Sequence, residues 1–142
     1  MDELWVPNKQ PAETAERSGV KIPIKVVPHS LDMNDYQNTE GSKIKELETT
    51  FTFGFIGEFV ERKNIKALVK AFHMEFNPRE PVTLLLKTSK TTLEEVQAYC
   101  NTIKKGLKLR NAYKEETVVV GIMDHRDYVS VMSQINCFVI PS

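Results

Sequence analysis

From Phe51 onward the chain alternates short apolar runs with longer stretches of helical periodicity. Phe51 to Ile56 is a near-continuous apolar run ending at Gly57, the pattern of a strand covered on both faces. Ile65, Leu68, Val69, Phe72 and Phe76 then recur at helical spacing, with Lys66, Lys70 and Glu75 elsewhere on the wheel. Pro78 and Pro81 end that helix, and Val82 to Leu86 is the next buried strand. Thr92 and Glu95 have capping-box spacing ahead of a helix striped by Val96, Tyr99, Cys100, Ile103 and Leu107. Thr117 to Val120 reads as a third strand ending at Gly121. Asp124 caps a helix carrying Tyr128, Val131, Met132 and Ile135, and Cys137 to Ile140 is a fourth strand. Strands alternating with helices predict βαβ crossovers, and so an α/β fold with a Rossmann-like parallel sheet and flanking helices.

The first fifty residues carry a weaker pattern. Leu4 to Val6 reads as a short strand stopped by Pro7, with no earlier element to pair with. Ala12 to Ser18 is helical and closes at Gly19, and Ile22 to Val27 is a β-branched strand ended by Pro28. From Ser30 to Thr50 the polar residues break any periodicity, which predicts a connecting segment with one short helix near Ile44 to Leu47. The final strand lacks a helix to cover it. Apolar strands at both ends lead to the expectation that the chain is part of a larger protein.

Composition narrows the function classes. Of the 142 residues, 19 are basic and 19 acidic, and this balance argues against a general polyanion binder. No run approaches the roughly 20 apolar residues of a membrane span, and the N-terminal stretch holds no signal-peptide core. The chain reads as cytoplasmic or, within a full-length enzyme, peripheral to a membrane. Cys100 and Cys137 form neither a disulfide framework nor a metal motif and read as small hydrophobes. His73 reads as structural, His125 as solvent-facing, Trp5 as core packing and Asp32 as a turn cap.

Candidate chemistry gathers where the first strand of the sheet ends. In open parallel sheets ligands bind beyond the carboxyl ends of the strands. There the chain reads Gly57-Glu58-Phe59-Val60-Glu61-Arg62-Lys63-Asn64 before its helix begins. A glycine permits close backbone approach, a helix start offers free N–H groups to an anion, and Arg62 and Lys63 add positive charge. Taken alone, one glycine and two cations describe a tight turn with solvated charges better than a phosphate site.

The order of segments adds more than any one of them. Phe53 to Phe72, FGFIGEFVERKNIKALVKAF, resembles the opening strand, loop and helix of the donor-binding domain of the family-4 glycosyltransferases, which have the two-domain GT-B fold. Asp2 to Asn8 resembles the last strand and loop of their acceptor-side domain, and Ser18-Gly19-Val20 with Lys25 to Asp32 resembles the passage into their interdomain linker. Val118 to Gly121, then Tyr128 and Met132, then Cys137 to Ser142, resemble the strand, helix and strand leading to their donor-site acidic motif. The resemblance implies the end of an acceptor domain at 1–30, a linker at 31–50 and the first half of a donor domain at 51–142.

It also implies a function: part of a retaining transferase moving a sugar from a nucleotide sugar to a glycan, lipid or small-molecule acceptor. Neither cofactor, metal nor nucleic acid is implied. By the match, Lys63 contacts the donor diphosphate, with Gly57, Arg62 and Asn64 in the same loop. Gly121, Ile122 and Met123 meet the nucleotide, and Lys87 and Thr88 line the same cleft, with His29 and Glu58 as further cleft candidates. Two departures stand out. Glu58 occupies the place of an arginine that partners the lysine, so it is expected to turn away or pair with a cation such as Arg62. The family's paired glutamates would follow Pro141-Ser142, so the chain by itself is expected to transfer no sugar and to hold no complete catalytic set. The rival readings are a non-catalytic nucleotide-binding or regulatory α/β module and a degenerate transferase-like protein with a structural role, for which Glu58 is the evidence.

Overall fold

The computed structural model describes residues 2–37, 41–107 and 113–141. The chain divides into two compact units, Met1–Gln37 and Asn38–Ser142.

In the first unit, β1 (Leu4–Val6) and β2 (Ile24–Val26) pair in parallel, joined through α1 (Lys9–Arg17). The expected lone first strand thus has its partner later in the chain. The helix begins ahead of Ala12 because the Asn8 side chain accepts the Gln10 N–H and caps it. Pro11 is tolerated there because first-turn N–H groups have no intrahelical acceptor. The turn after α1 uses Gly19 at φ 87°, which an L side chain rarely adopts. Trp5 corrects the sequence reading. Alternation along β1 buries Val6 and turns Trp5 outward, 65% exposed, with its indole N–H donating to Glu3. It is not a core residue.

The second unit holds β3 (Phe51–Ile56), α2 (Ile65–Glu75), β4 (Val82–Thr88), α3 (Leu93–Leu107), β5 (Thr117–Val120), α4 (His125–Ser133) and β6 (Cys137–Phe138). All four strands are parallel in the order β5-β4-β3-β6. This is the expected α/β architecture, a Rossmann-like parallel sheet flanked by helices. The last strand is shorter than its apolar run. It pairs only at Phe53↔Cys137 and Gly54↔Phe138, after which Val139 donates once more to Gly54 O at 2.8 Å. Pro141 then removes a donor and restrains Ile140.

Every residue of β4 is buried, and its period of two distributes the core. Leu84 and Leu86 join Phe55, Ile65, Val69, Phe72, Val96 and Cys100 under α2 and α3. Leu85 points the other way, to Leu47 and Val131, with Ile44, Val119, Met123 and Ile135 packed around them. Full burial of such a side chain is worth about 1.5–3 kcal/mol, so the middle of β4 anchors both layers.

Residues 41–50, part of the passage read as a connector, pack onto α4. Ser42 N–H donates to Asp127, Ile44 N–H to Gln134, and Ser130 Oγ returns a bond to Ser42 O at 3.1 Å. The Thr92 and Glu95 capping box is formed reciprocally, at 2.9 and 3.3 Å. Replacing Thr92 with alanine is expected to lower stability by about 1 kcal/mol, measurable as a shift of the urea midpoint without a change of slope.

At the amino end of the sheet, Glu116 precedes β5 and meets the last turns of two helices. His73 Nε2 of α2 lies 2.5 Å from one carboxylate oxygen and Lys104 Nζ of α3 lies 2.9 Å from the other. All three side chains are buried. Burial pushes the Glu116 carboxyl up, but the hydrogen bonds from His73 and Lys104 outweigh it and leave the group below its usual range. His73 is therefore structural, and His125 is exposed. Beside the cluster, burial pushes the Cys100 thiol up to about 12, which keeps it an unreactive core group.

Candidate functional site

The carboxyl ends of β3, β4 and β5 converge on a pocket of about 210 Å³. Ile56 and Gly57 enter it from β3, Lys87, Thr88 and Ser89 from β4, Ile122 and Met123 from the turn after β5, and Tyr128 from α4. The sheet order places this edge beside the point where the connection reverses from β4 and β5 to β6 on the other side of β3. Larger hollows lie elsewhere: about 640 Å³ between the starts of α2 and α3, and an apolar groove of about 720 Å³ along α2 beside Phe53 and Val139. Volume alone does not choose among them. The smaller pocket is the one facing several strand ends with a buried cation in its wall.

That cation is Lys87. Its residue is 5% exposed, and Nζ donates to Gly121 O at 2.5 Å and Thr88 O at 3.2 Å. Burial lowers its pKa from the usual lysine value, and the negative charge of Glu58 pulls it back up. The bond to Gly121 ties the end of β4 to the turn after β5, where Gly121 adopts φ 89°. Ile122 follows almost fully exposed, while Met123 turns inward against the second core cluster.

Gly57 has a role that its sequence position did not suggest. A Cβ at this position would lie 3.0 Å from the Phe55 ring, two residues back on the same face. The glycine accommodates a core aromatic, and its N–H donates to Lys87 O at 2.9 Å as the ladder continues. Glu58 also departs from expectation. Its carboxylate does not pair with Arg62; it accepts Ser89 Oγ at 2.8 Å and Thr88 Oγ1 at 3.5 Å, both on residues that line the pocket. The reason is local: the Val60 N–H bond to Glu58 O closes a tight turn directly after β3, while Arg62 lies beyond it.

Arg62 and Lys63 sit in a 3-10 turn, Glu61–Lys63, ahead of α2. Arg62 is exposed and Lys63 half-buried, and neither is among the residues lining the strand-end pocket. Asn64 is in the left-handed region, φ 47°, and caps α2 without a side-chain hydrogen bond. It lines the hollow between α2 and α3 instead. Lys66 at the start of α2 and Tyr99 of α3 line the same hollow. Ser89 and Tyr128 are pocket residues that the sequence reading did not select as site residues; Ser89, immediately after the expected Lys87-Thr88 pair, was the nearer to being found. His29 belongs to the first unit, where it is exposed.

Among the described residues, no group of three or more His, Cys, Asp or Glu side chains could hold a metal ion. No helix among them is long and apolar enough to cross a membrane. Neither a protein-family model nor a curated protein sequence matches the chain.

Proposed function

We propose that the second unit binds the nucleoside diphosphate moiety of a nucleotide sugar at its carboxyl edge, as the donor-binding part of a retaining glycosyltransferase. The observation that carries this reading is the convergence of Gly57, Lys87, Thr88, Ile122 and Met123 on one pocket at the strand ends. These are five of the residues the resemblance selects, and they lie up to 66 positions apart (123 − 57). The chemistry suits the assignment. A buried ammonium attracts a diphosphate more strongly than an exposed one, since less water screens it. Ile122 offers an apolar surface to a base, and the Thr88 and Ser89 hydroxyls offer hydrogen bonds to oxygen-rich groups. In transfer, the leaving diphosphate gains negative charge that such donors stabilise.

The second reading, a nucleotide-binding module without transfer, draws on Glu58, a carboxylate where the resemblance calls for an arginine. Calorimetric titration separates the two. The transferase reading expects UDP- or GDP-sugars to bind at least as tightly as the corresponding diphosphates, because the sugar adds contacts. A module without transfer would bind the diphosphates and discriminate against the sugar. Lys87→Met is expected to weaken diphosphate binding by about tenfold, the loss of one charge-assisted contact in the pocket wall. Unchanged affinity would remove Lys87 from the site, and no nucleotide binding at all would defeat both readings.

A further inference from the structure

Glu58 brings a negative charge onto two residues of a pocket assigned to an anion, Thr88 and Ser89, and its surroundings indicate why this is compatible with binding. Its carboxylate accepts hydrogen bonds from Ser89 at 2.8 Å and Thr88 at 3.5 Å, while the Lys87 ammonium beside Thr88 bonds two backbone carbonyls. Two hydroxyl donors and a buried cation are the partners that a phosphate group would take. Lys87 has two carbonyl acceptors for its three N–H protons, so one proton is left for an anion. Thr88 is buried, and its hydroxyl otherwise has little access to water. Glu58 lies beyond the end of β3, in a tight turn closed by the 2.9 Å bond from Val60 N–H to Glu58 O, so its side chain is not part of the sheet.

We propose that the Glu58 carboxylate is an internal stand-in for the ligand: it occupies an anion site made by Thr88, Ser89 and Lys87, and a phosphate-bearing ligand displaces it. The inference rests on the nucleotide reading only for which phosphate ligand does so. It makes Glu58 a competitive latch. Binding exchanges one anion for another on the same donors, so affinity falls by the strength of the internal contact, and weak anions fail to enter. Lys87 keeps its two carbonyl acceptors, Gly121 O and Thr88 O, in both states.

The test uses Glu58→Gln, which keeps the shape and removes the charge, with inorganic pyrophosphate and UDP as separate titrants. Glu61→Gln is the control for net charge, because Glu61 is exposed in the same loop, whereas it is Glu58 that accepts the Ser89 and Thr88 hydroxyls. The latch predicts that Glu58→Gln binds pyrophosphate at least tenfold tighter than the unaltered chain. Glu61→Gln should show no such gain, and adding Ser89→Ala to Glu58→Gln should erase most of it. Equal affinity in Glu58→Gln and the unaltered chain, or the same gain in Glu61→Gln, overturns the proposal. Tight pyrophosphate binding by Glu58→Gln without any UDP binding keeps the latch and removes the nucleotide reading. UDP binding that is the same in both chains keeps the nucleotide reading and removes the latch.

Discussion

Replacing Glu116 with alanine is expected to destabilise the second unit by roughly 3–5 kcal/mol, the usual cost of leaving a buried ionic partner alone. Two partners are orphaned at once, since His73 and Lys104 each bond a different oxygen of that carboxylate and both are buried. The loss also unfastens the ends of α2 and α3 from the start of β5. Glu116→Gln preserves the shape and should cost less. The pH dependence follows from the direction of the shift. The folded-state pKa of Glu116 lies below its unfolded value, so its contribution is fully present above the unfolded carboxyl pKa. It is lost as pH falls through the folded pKa. Urea midpoints of the unaltered chain should therefore drop through the acidic range in excess of those of Glu116→Gln. Far-UV circular dichroism is the appropriate probe, because the single tryptophan, Trp5, lies exposed in the other unit. Parallel pH profiles would remove the ionic role.

The second large effect is expected at Gly54, in the middle of β3. A Cβ there would lie 2.6 Å from Ile135 Cγ1 and 2.8 Å from its Cγ2, with Cδ1 nearer still. The sheet is paired on both sides of this residue, to Leu85 and to Phe138, so the backbone has little room to yield. Ile135 must move, and it packs against the cluster of Leu47, Leu85 and Val131. Gly54→Val should cost about 1–3 kcal/mol or more through overpacking. Shortening the obstacle is the diagnostic: in an Ile135→Ala background the added cost of Gly54→Val should shrink markedly, as a double-mutant cycle would show. Additive penalties would mean that the clash is not the cause.

What the sequence made legible follows from the range of the forces involved. The bounds of β3 and β5, the α2 stripe and the Thr92–Glu95 box are local patterns, and the structure carries them nearly unchanged. Trp5 failed because a three-residue strand has too little alternation to reveal which side is buried. The cluster of His73, Lys104 and Glu116 was invisible because its members lie 43 and 12 positions from one another and meet only through the sheet. Residues 41–50 carry no hydrophobic period because side-chain bonds from α4 to their backbone hold them. At the candidate site, the 121–123 turn came from the resemblance, and Lys87 and Thr88 joined it as the end of the intervening strand. The partners of Glu58 were not legible, because Ser89 is 31 residues away and no helical or strand period links the two.

The central claim is that the strand-end pocket, and not the larger hollow between α2 and α3, takes a nucleoside diphosphate. Backbone amide shifts recorded during titration with UDP and GDP test it most directly. The account predicts that the largest changes fall at Gly57, Thr88, Ser89 and Gly121 to Met123. The amides of Thr91, Glu95 and Tyr99, which line the other hollow, should move far less. Saturable shifts centred on those latter residues, with the strand-end amides unmoved, would contradict it.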